Sequence, residues 1–365
     1  MDAYAEALRQ SILPESVVLE IGTGPGFMAL LAAKWGARRV YAIEQDAVIG
    51  LAEQIAKDNA FSRRIQFIRA LSTAVDLPEP VDVIVSDLRS ALPLYGAHIP
   101  SIVDARERFL KDGGILIPRQ DVLWVAPVEN RPCYERDLAI WREGLADIDL
   151  RAGSQYIANR LVIFQPKPEQ LLAPPQIWAT LDYRTITDPH VAGSVTSTAT
   201  RSGVAHGLAV WFDAELLEGI GFSNAPGQKE TVYGRSFFPW PEPVALEAGD
   251  RVNVTIDASL VGDGYTWSWT STVVGCHDDD HPKAVFRQST FLGALLSVQD
   301  LHKRHAQYRP TLNPDGLAMQ VVLDRFDGQT PLAEIATVLM DRFPKRFKSV
   351  DAALDYVGEI AKSHG

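Results

Sequence analysis

Residues 19–27 read LEIGTGPGF, and this stretch constrains the fold more than any other in the chain. The apolar run VVLEI (17–21) reads as a strand, and MALLAAKWG (28–36) has helical spacing. Between them Gly22, Gly24 and Gly26 allow the backbone conformations that a sharp strand-to-helix turn needs. Such a turn brings bare backbone N–H groups to a ligand at the end of a strand. The rhythm continues with strand-like VYAIE (40–44), IQFI (65–68), DVIVSD (82–87) and GILIP (114–118). VIGLAEQIAKDNA (48–60) and IPSIVDARERFL (99–110) supply helices between them. This alternation predicts an α/β domain over residues 1–120, with a doubly wound, Rossmann-like and largely parallel sheet.

The texture changes at about residue 121. GLAVWFDAEL (207–216), RVNVTIDASL (251–260) and YTWSWTST (265–272) alternate apolar and polar residues almost strictly. Period-2 runs between Gly, Asp and Pro turns predict an antiparallel β-barrel or sandwich over 121–285. Trp267 and Trp269 share one face of a strand and read as core or interface. YERDLAIWREGLADIDL (134–150) interrupts the β pattern with helical spacing. After a linker at 286–309, residues 310–365 predict a small helical domain. There Asn313-Pro314 and Thr330-Pro331 each read as an N-cap followed by proline at the first helical position, and Asp327-Gly328 as a turn. Leu317, Val321, Leu323, Leu332, Ile335, Leu339, Leu354 and Val357 are the expected packing residues of this domain.

A net charge of −11 argues against nucleic acid as the partner, since phosphate contacts need clustered Lys and Arg. Two distant cysteines, Cys133 and Cys276, give no disulfide framework. MDAYAEALRQ lacks the apolar core of a signal peptide, and no run approaches the roughly 20 apolar residues of a membrane span. A cytoplasmic protein with no membrane partner is expected. The run Cys276-His277-Asp278-Asp279-Asp280-His281 has H-x-x-x-H spacing, but its composition is that of a solvated turn, and no metal is expected.

A dinucleotide fingerprint would read G-x-G-x-x-G, yet its third glycine position holds Phe27. The order is instead E-x-G-x-G-x-G, the first motif of class I S-adenosylmethionine (AdoMet)-dependent methyltransferases. AdoMet has no pyrophosphate; it presents an ammonium, ribose hydroxyls and a sulfonium, which suit carboxylates and close backbone approach. The expected cofactor-binding residues are Glu20, Gly22, Thr23, Gly24, Gly26, Glu44, Gln45, Ser72 and Asp87. Glu44 ends the second strand, where a carboxylate can accept both ribose hydroxyls.

Beyond this loop the chain resembles the protein arginine methyltransferases. The strings LEIGTGPGFMALLAAKWGARRVYAIE (19–44), VDVIVSDLRSALPLYGAHIPSIVDARERFLKDGGILIP (81–118), HGLAVWFDAEL (206–216) and GFSNAPGQKETVYGRSFF (221–238) carry the resemblance. It implies a methyltransferase domain followed by a β-barrel, a dimerisation arm at 134–150, a homodimer, and a peptide or protein substrate. It also places Thr231 and Tyr233 in a substrate motif that reads Thr-His-Trp in that family. The family clamps the substrate guanidinium between two glutamates on one loop; here those positions are Asp87 and Gly96. A desolvated guanidinium needs carboxylate partners. With one lost, and the motif histidine replaced by Val232, the expectation is a peptide-modifying methyltransferase other than a standard arginine methyltransferase. Asp87, His98 and Tyr95 are the candidate catalytic residues. A small-molecule methyltransferase and a catalytically silent AdoMet-binding docking protein are the alternatives. LNPDGLAMQVVLDRFDGQTPLAEIATVLMDRF (312–343) resembles the PqqD-like peptide-chaperone domains, which implies a module that holds a leader peptide.

Overall fold

The computed structural model describes residues 1–277 and 281–365. The chain opens with α1 (Asp2–Ser11), β1 (Val17–Ile21), α2 (Phe27–Lys34), β2 (Arg39–Glu44), α3 (Ile49–Asp58) and β3 (Ile65–Arg69). It continues with β4 (Val81–Ser86), α4 (His98–Phe109) and β5 (Leu110–Ile117). These five strands pair in parallel in the order β3-β2-β1-β4-β5. β1 is buried along its whole length, as a central strand covered on both faces must be. Strand order reverses between β1 and β4, and the loops leaving these two strands therefore flank the crevice where such sheets bind ligands. The Rossmann-like sheet read from the sequence is present, with the glycine loop and Asp87 at the same edge.

β6 (Gln120–Val128) begins the antiparallel part. Next come α5 (Arg131–Tyr134), a π-helical stretch (Glu135–Ala139), α6 (Ile140–Glu143) and α7 (Arg151–Ala158). The single helical stretch expected at 134–150 is thus broken. Gly144 turns with φ 83°, where a Cβ would lie 2.5 Å from the Ile148 carbonyl oxygen, and Leu145 bridges to Ile148. The strands that follow are β7 (Val162–Phe164), β8 (Gln176–Asp182), β9 (Val191–Thr198), β10 (Gly203–Leu217) and β11 (Ile220–Ser223). β12 (Arg235–Leu246), β13 (Arg251–Val261), β14 (Gly264–Val274) and β15 (Ala284–Ser289) complete two antiparallel sheets. One runs β7-β12-β10-β6-β8 with β11 paired to β10; the other runs β15-β14-β13-β9. Val252, Val254, Ile256 and Ala258 point inward from β13 at every second residue. Trp267 and Trp269 are both buried and pack edge-on or tilted against Phe238, so they belong to the core.

Residues 1–295 form one compact unit and 296–365 a second. The second contains α8 (Val298–Lys303), α9 (Pro314–Leu323), α10 (Leu332–Arg342) and α11 (Val350–His364). Its own core gathers Ala318, Val322, Ile335, Leu339, Ala353 and Val357. Asn313 caps α9 by accepting from the Gly316 amide at 2.8 Å. The cap expected at Thr330 is not formed. Asp327 accepts from the Gln329 and Thr330 amides and from the Thr330 hydroxyl, which leaves Pro331 at the cap position. Leu317, Leu323 and Leu332, expected in this core, are exposed. No described helix is long and apolar enough to cross a membrane. Among the described residues no group of His, Cys, Asp and Glu could hold a metal ion; residues 278–280 of the Cys276–His281 run lie outside them.

Candidate active site

The glycine loop is fastened from behind. Glu20 is buried at the end of β1, where one carboxylate oxygen accepts from the Thr23 hydroxyl at 2.5 Å and the Ala29 amide at 2.7 Å. This ties the loop to the first turn of α2 and turns Glu20 inward. Burial raises its carboxyl to about 7, and the hydrogen bonds from Thr23, Ala29 and Met28 only partly oppose that. Gly22 and Gly26 take φ values of 72° and 84°, and Cβ atoms there would meet Leu88 at 2.4 Å and Ala52 at 2.9 Å. Gly24, at φ 52°, has open space where its Cβ would be.

Glu44 faces this loop from the end of β2. Its oxygens accept from the Gly24 amide at 3.0 Å and the Asp46 amide at 2.9 Å. A cavity of about 370 Å³ opens beside it, lined among others by Gly22, Glu44, Gln45, Ser72, Arg89 and His98. Tyr95 lies on the same wall with its ring largely exposed. The donor set fits AdoMet: a carboxylate at the strand end, backbone that approaches closely because Gly22 and Gly24 have no side chain, and apolar Ile43 and Leu71 alongside.

Asp87 lines a second, larger cleft, while its neighbours Leu88 and Arg89 line the first cavity. One of its oxygens accepts from Arg89 Nη1 at 3.2 Å and the other from the Tyr233 hydroxyl. Arg89 is fully buried and bidentate to Asp121 on β6, with both contacts at 2.8 Å. Tyr4 on α1 receives a hydrogen bond from Arg89 Nη1 and donates to the Ser86 carbonyl. Phe212 and Phe222 flank the guanidinium at 5.6 and 5.9 Å. Burial works against the charge on Arg89, but Asp121 and the tyrosines around it hold its pKa well above the ordinary value. Burial also pushes the Tyr4 and Tyr233 hydroxyls upward, so both stay protonated.

His98 belongs to the same network. Tyr183 donates to Asp121 at 2.6 Å and therefore accepts from His98 Nε2, 2.9 Å away, leaving Nδ1 buried with no partner. Burial and the Arg89 charge hold this imidazole well below its usual pKa, in its neutral form. Arg89, Asp121, Tyr183 and Tyr4 are far apart in the chain, and nothing in their spacing marks them as a group. The one available signal was an acid at Asp121, the second residue of β6, just before the apolar run that follows.

The second cleft, about 870 Å³, is lined by Tyr4, Glu6, Asp87, Phe222, Glu230 and Tyr233 among others. Thr231 also lines it, with a buried hydroxyl that has no partner among the described residues, whereas Val232 is exposed. Asp87, Thr231 and Tyr233 thus share one cleft; Glu44, Gln45, Ser72, Tyr95 and His98 share the other cavity; Glu20 and Thr23 support the loop between strand and helix.

Comparison with known proteins agrees with this arrangement. Residues 4–118 match the family model described as ribosomal protein L11 methyltransferase (PrmA), and residues 120–261 match the arginine methyltransferase oligomerization subdomain. Neither extends beyond residue 261, and nothing in these matches supports the peptide-chaperone likeness of 312–343. Protein arginine N-methyltransferase 6 of Xenopus tropicalis is 29% identical over 274 residues, 71% of this chain and 80% of that protein. The Danio rerio protein of the same name is 30% identical over 260 residues, 68% of this chain and 72% of that one. Among solved structures, Arabidopsis thaliana protein arginine methyltransferase 10 superposes with a TM-score of 0.70 at 23% identity, covering 79% of this chain and 93% of that one. The Trypanosoma brucei PRMT1 enzyme-prozyme complex with AdoHcy gives 0.72 at 21% identity, covering 79% and 94%. These two likenesses bear on the fold.

The AdoMet-dependent methyltransferase read from the glycine loop stands. The expectation that the chain departs from the standard arginine methyltransferases does not, because the relatives that span most of it carry that name. That expectation weighed the loop position Gly96 and the motif position Val232, and it left out acids that line the cleft from other elements. By its sequence kinship to proteins it largely covers, the chain belongs to the protein arginine N-methyltransferase family.

Proposed function

We propose that this chain methylates arginine side chains of a peptide or protein, using AdoMet, and does so as a homodimer. The observation that carries the reading is the charge at Asp87. Asp87 and Asp121 share one internal cation, Arg89, so the trio is short by one positive charge. A carboxylate with 23% of its side chain exposed then faces a cleft large enough for a side chain. An arriving guanidinium restores the balance and offers the paired N–H donors that carboxylates accept best.

AdoMet, when bound, supplies an electrophilic methyl group whose bond to sulfur breaks as the guanidinium nitrogen lone pair forms the new N–C bond. The chain's residues orient and shield. Glu44 and Gln45 are assigned to the ribose and adenine side, and the close-approaching backbone at Gly22 and Gly24 to the amino-acid side. Tyr233 and Arg89 fix the two oxygens of Asp87, so the acceptor nitrogen is presented in one orientation. Asp87 is also the group placed to take the proton that nitrogen releases. His98 acts through Tyr183 and Asp121 as a positioning residue, while Tyr95 forms part of the wall.

The test is transfer of labelled methyl from AdoMet to an arginine- and glycine-rich peptide, followed by identification of methylarginine. Asp87→Asn keeps the shape and removes the charge; it should lower turnover on the order of a hundredfold or more while S-adenosylhomocysteine affinity stays unchanged. Residues 296–365 are assigned to holding the peptide substrate. The support for this is the exposure of Leu317, Met319, Leu332 and Val350 on a unit that already has a closed core.

A further inference from the structure

If arginine is the acceptor, as proposed above, a second carboxylate could share its five N–H donors with Asp87, and the loop after β4 does not supply one. Gly96 takes φ 47° and a Cβ there would meet nothing nearer than the Asp263 carbonyl at 4.0 Å, so no carboxylate comes from that position. Four acids line the larger cleft: Asp2, Glu6, Asp87 and Glu230. Three of them already have a cation. Glu6 is bound by Arg9 at 2.7 Å and also accepts from Gln10. Asp2 lies 3.9 Å from Lys229, and Asp87 shares Arg89 with Asp121. Glu230 has no hydrogen bond or ion pair among the described residues, and its charge acts on Arg235.

We propose that Glu230 is the second carboxylate of the substrate clamp, holding the arginine guanidinium from the loop between β11 and β12 while Asp87 holds it from the loop after β4. Two further features support this. Tyr233, three residues along, donates directly to Asp87 and so anchors this loop at the carboxylate. Three residues of extended chain span at most ~10 Å, which bounds how far the Glu230 backbone lies from that anchor. Between them, Thr231 keeps a buried hydroxyl without a partner among the described residues, a group that a guanidinium N–H would satisfy. The clamp is then shared between the two domains of the catalytic unit instead of being carried on one hairpin.

The test uses full-length protein and an arginine- and glycine-rich peptide. Steady-state kinetics would be paired with calorimetric titration of the peptide into enzyme saturated with S-adenosylhomocysteine. Glu230→Gln should raise the peptide KM and Kd about tenfold or more, as loss of a charged hydrogen-bond partner does. Its kcat should fall less, because the contact is made in both ground and transition states. Glu230→Asp should recover part of the loss, and S-adenosylhomocysteine affinity should match wild type in both variants. If wild type methylates arginine and Glu230→Gln binds the peptide within twofold of it, the clamp assignment is overturned and the arginine reading survives. If wild type places no methyl on arginine, both are overturned.

Discussion

Buried beneath the glycine loop, Glu20 keeps its proton up to about pH 7 in the folded protein, against an ordinary value of 4.5. A raised carboxyl pKa contributes stability that is fully present below the unfolded value and is lost as pH rises through the folded one. Between about pH 4.5 and pH 7 the unfolded chain releases this proton while the folded protein retains it. Stability should therefore fall across that window by on the order of 3 kcal/mol from this group alone. Glu20→Gln can still accept from Thr23 and Ala29 but cannot ionise. In urea unfolding, its stability relative to wild type should improve from pH 5 to about pH 7 and level off above it; a difference that does not change with pH would contradict the assignment. Glu20, Glu44 and Asp87 could be picked out from the sequence because each ends a strand whose direction and order were readable. Arg89, Asp121 and Tyr183 could not. An isolated charge beside an apolar run reads as solvent-facing, and the pairing that lets it be buried joins residues far apart in the chain.

The buried network is also what joins the elements around the site. It links α1 through Tyr4, the loop after β4 through Arg89, β6 through Asp121, the end of β8 through Tyr183 and α4 through His98. Asp121→Asn would leave Arg89 charged, buried and short of its bidentate partner, at a cost of about 3–5 kcal/mol. The expected readout is a large drop in thermal midpoint together with weaker substrate turnover; an unchanged midpoint would show that Asp87 alone compensates Arg89. A second element-scale feature is the arm after β6, within the segment matching the family's oligomerization subdomain. Ile140, Leu145 and Ile148 are exposed there by 40%, 57% and 60%. A two-fold interface is the usual cover for such a face. Replacing Ile140 and Leu145 by aspartate should convert a dimer to monomer in sedimentation at micromolar concentration, and a wild-type monomer would contradict the assembly. The helical character of this arm was legible from its spacing. Its break was not, because Gly144 reads as an ordinary helix-weakening residue until the Ile148 carbonyl is seen to occupy the space a Cβ would need.

At the scale of the whole molecule, the order of parallel sheet, antiparallel sheets and helical unit followed from hydrophobic period, and the cofactor followed from one loop. The acceptor was misread because only one loop was weighed for carboxylates. A missing glutamate at one position is visible in a sequence, whereas carboxylates converging from α1, from the loop after β4 and from the loop before β12 become visible only in the fold. The carboxyl-terminal unit has its own core, apart from the core of residues 1–295. A chain ending at residue 295 should therefore remain folded and bind S-adenosylhomocysteine as the full chain does. A higher KM for a full-length protein substrate would support a holding role for residues 296–365; identical kinetics would remove it. The most direct test of the account is the identity of the methylated residue. Wild-type protein, labelled AdoMet and an arginine- and glycine-rich peptide, analysed by mass spectrometry, should yield methylarginine that is strongly reduced by Asp87→Asn. Methyl transfer confined to another residue type, or methylarginine formed equally well by Asp87→Asn, would contradict it.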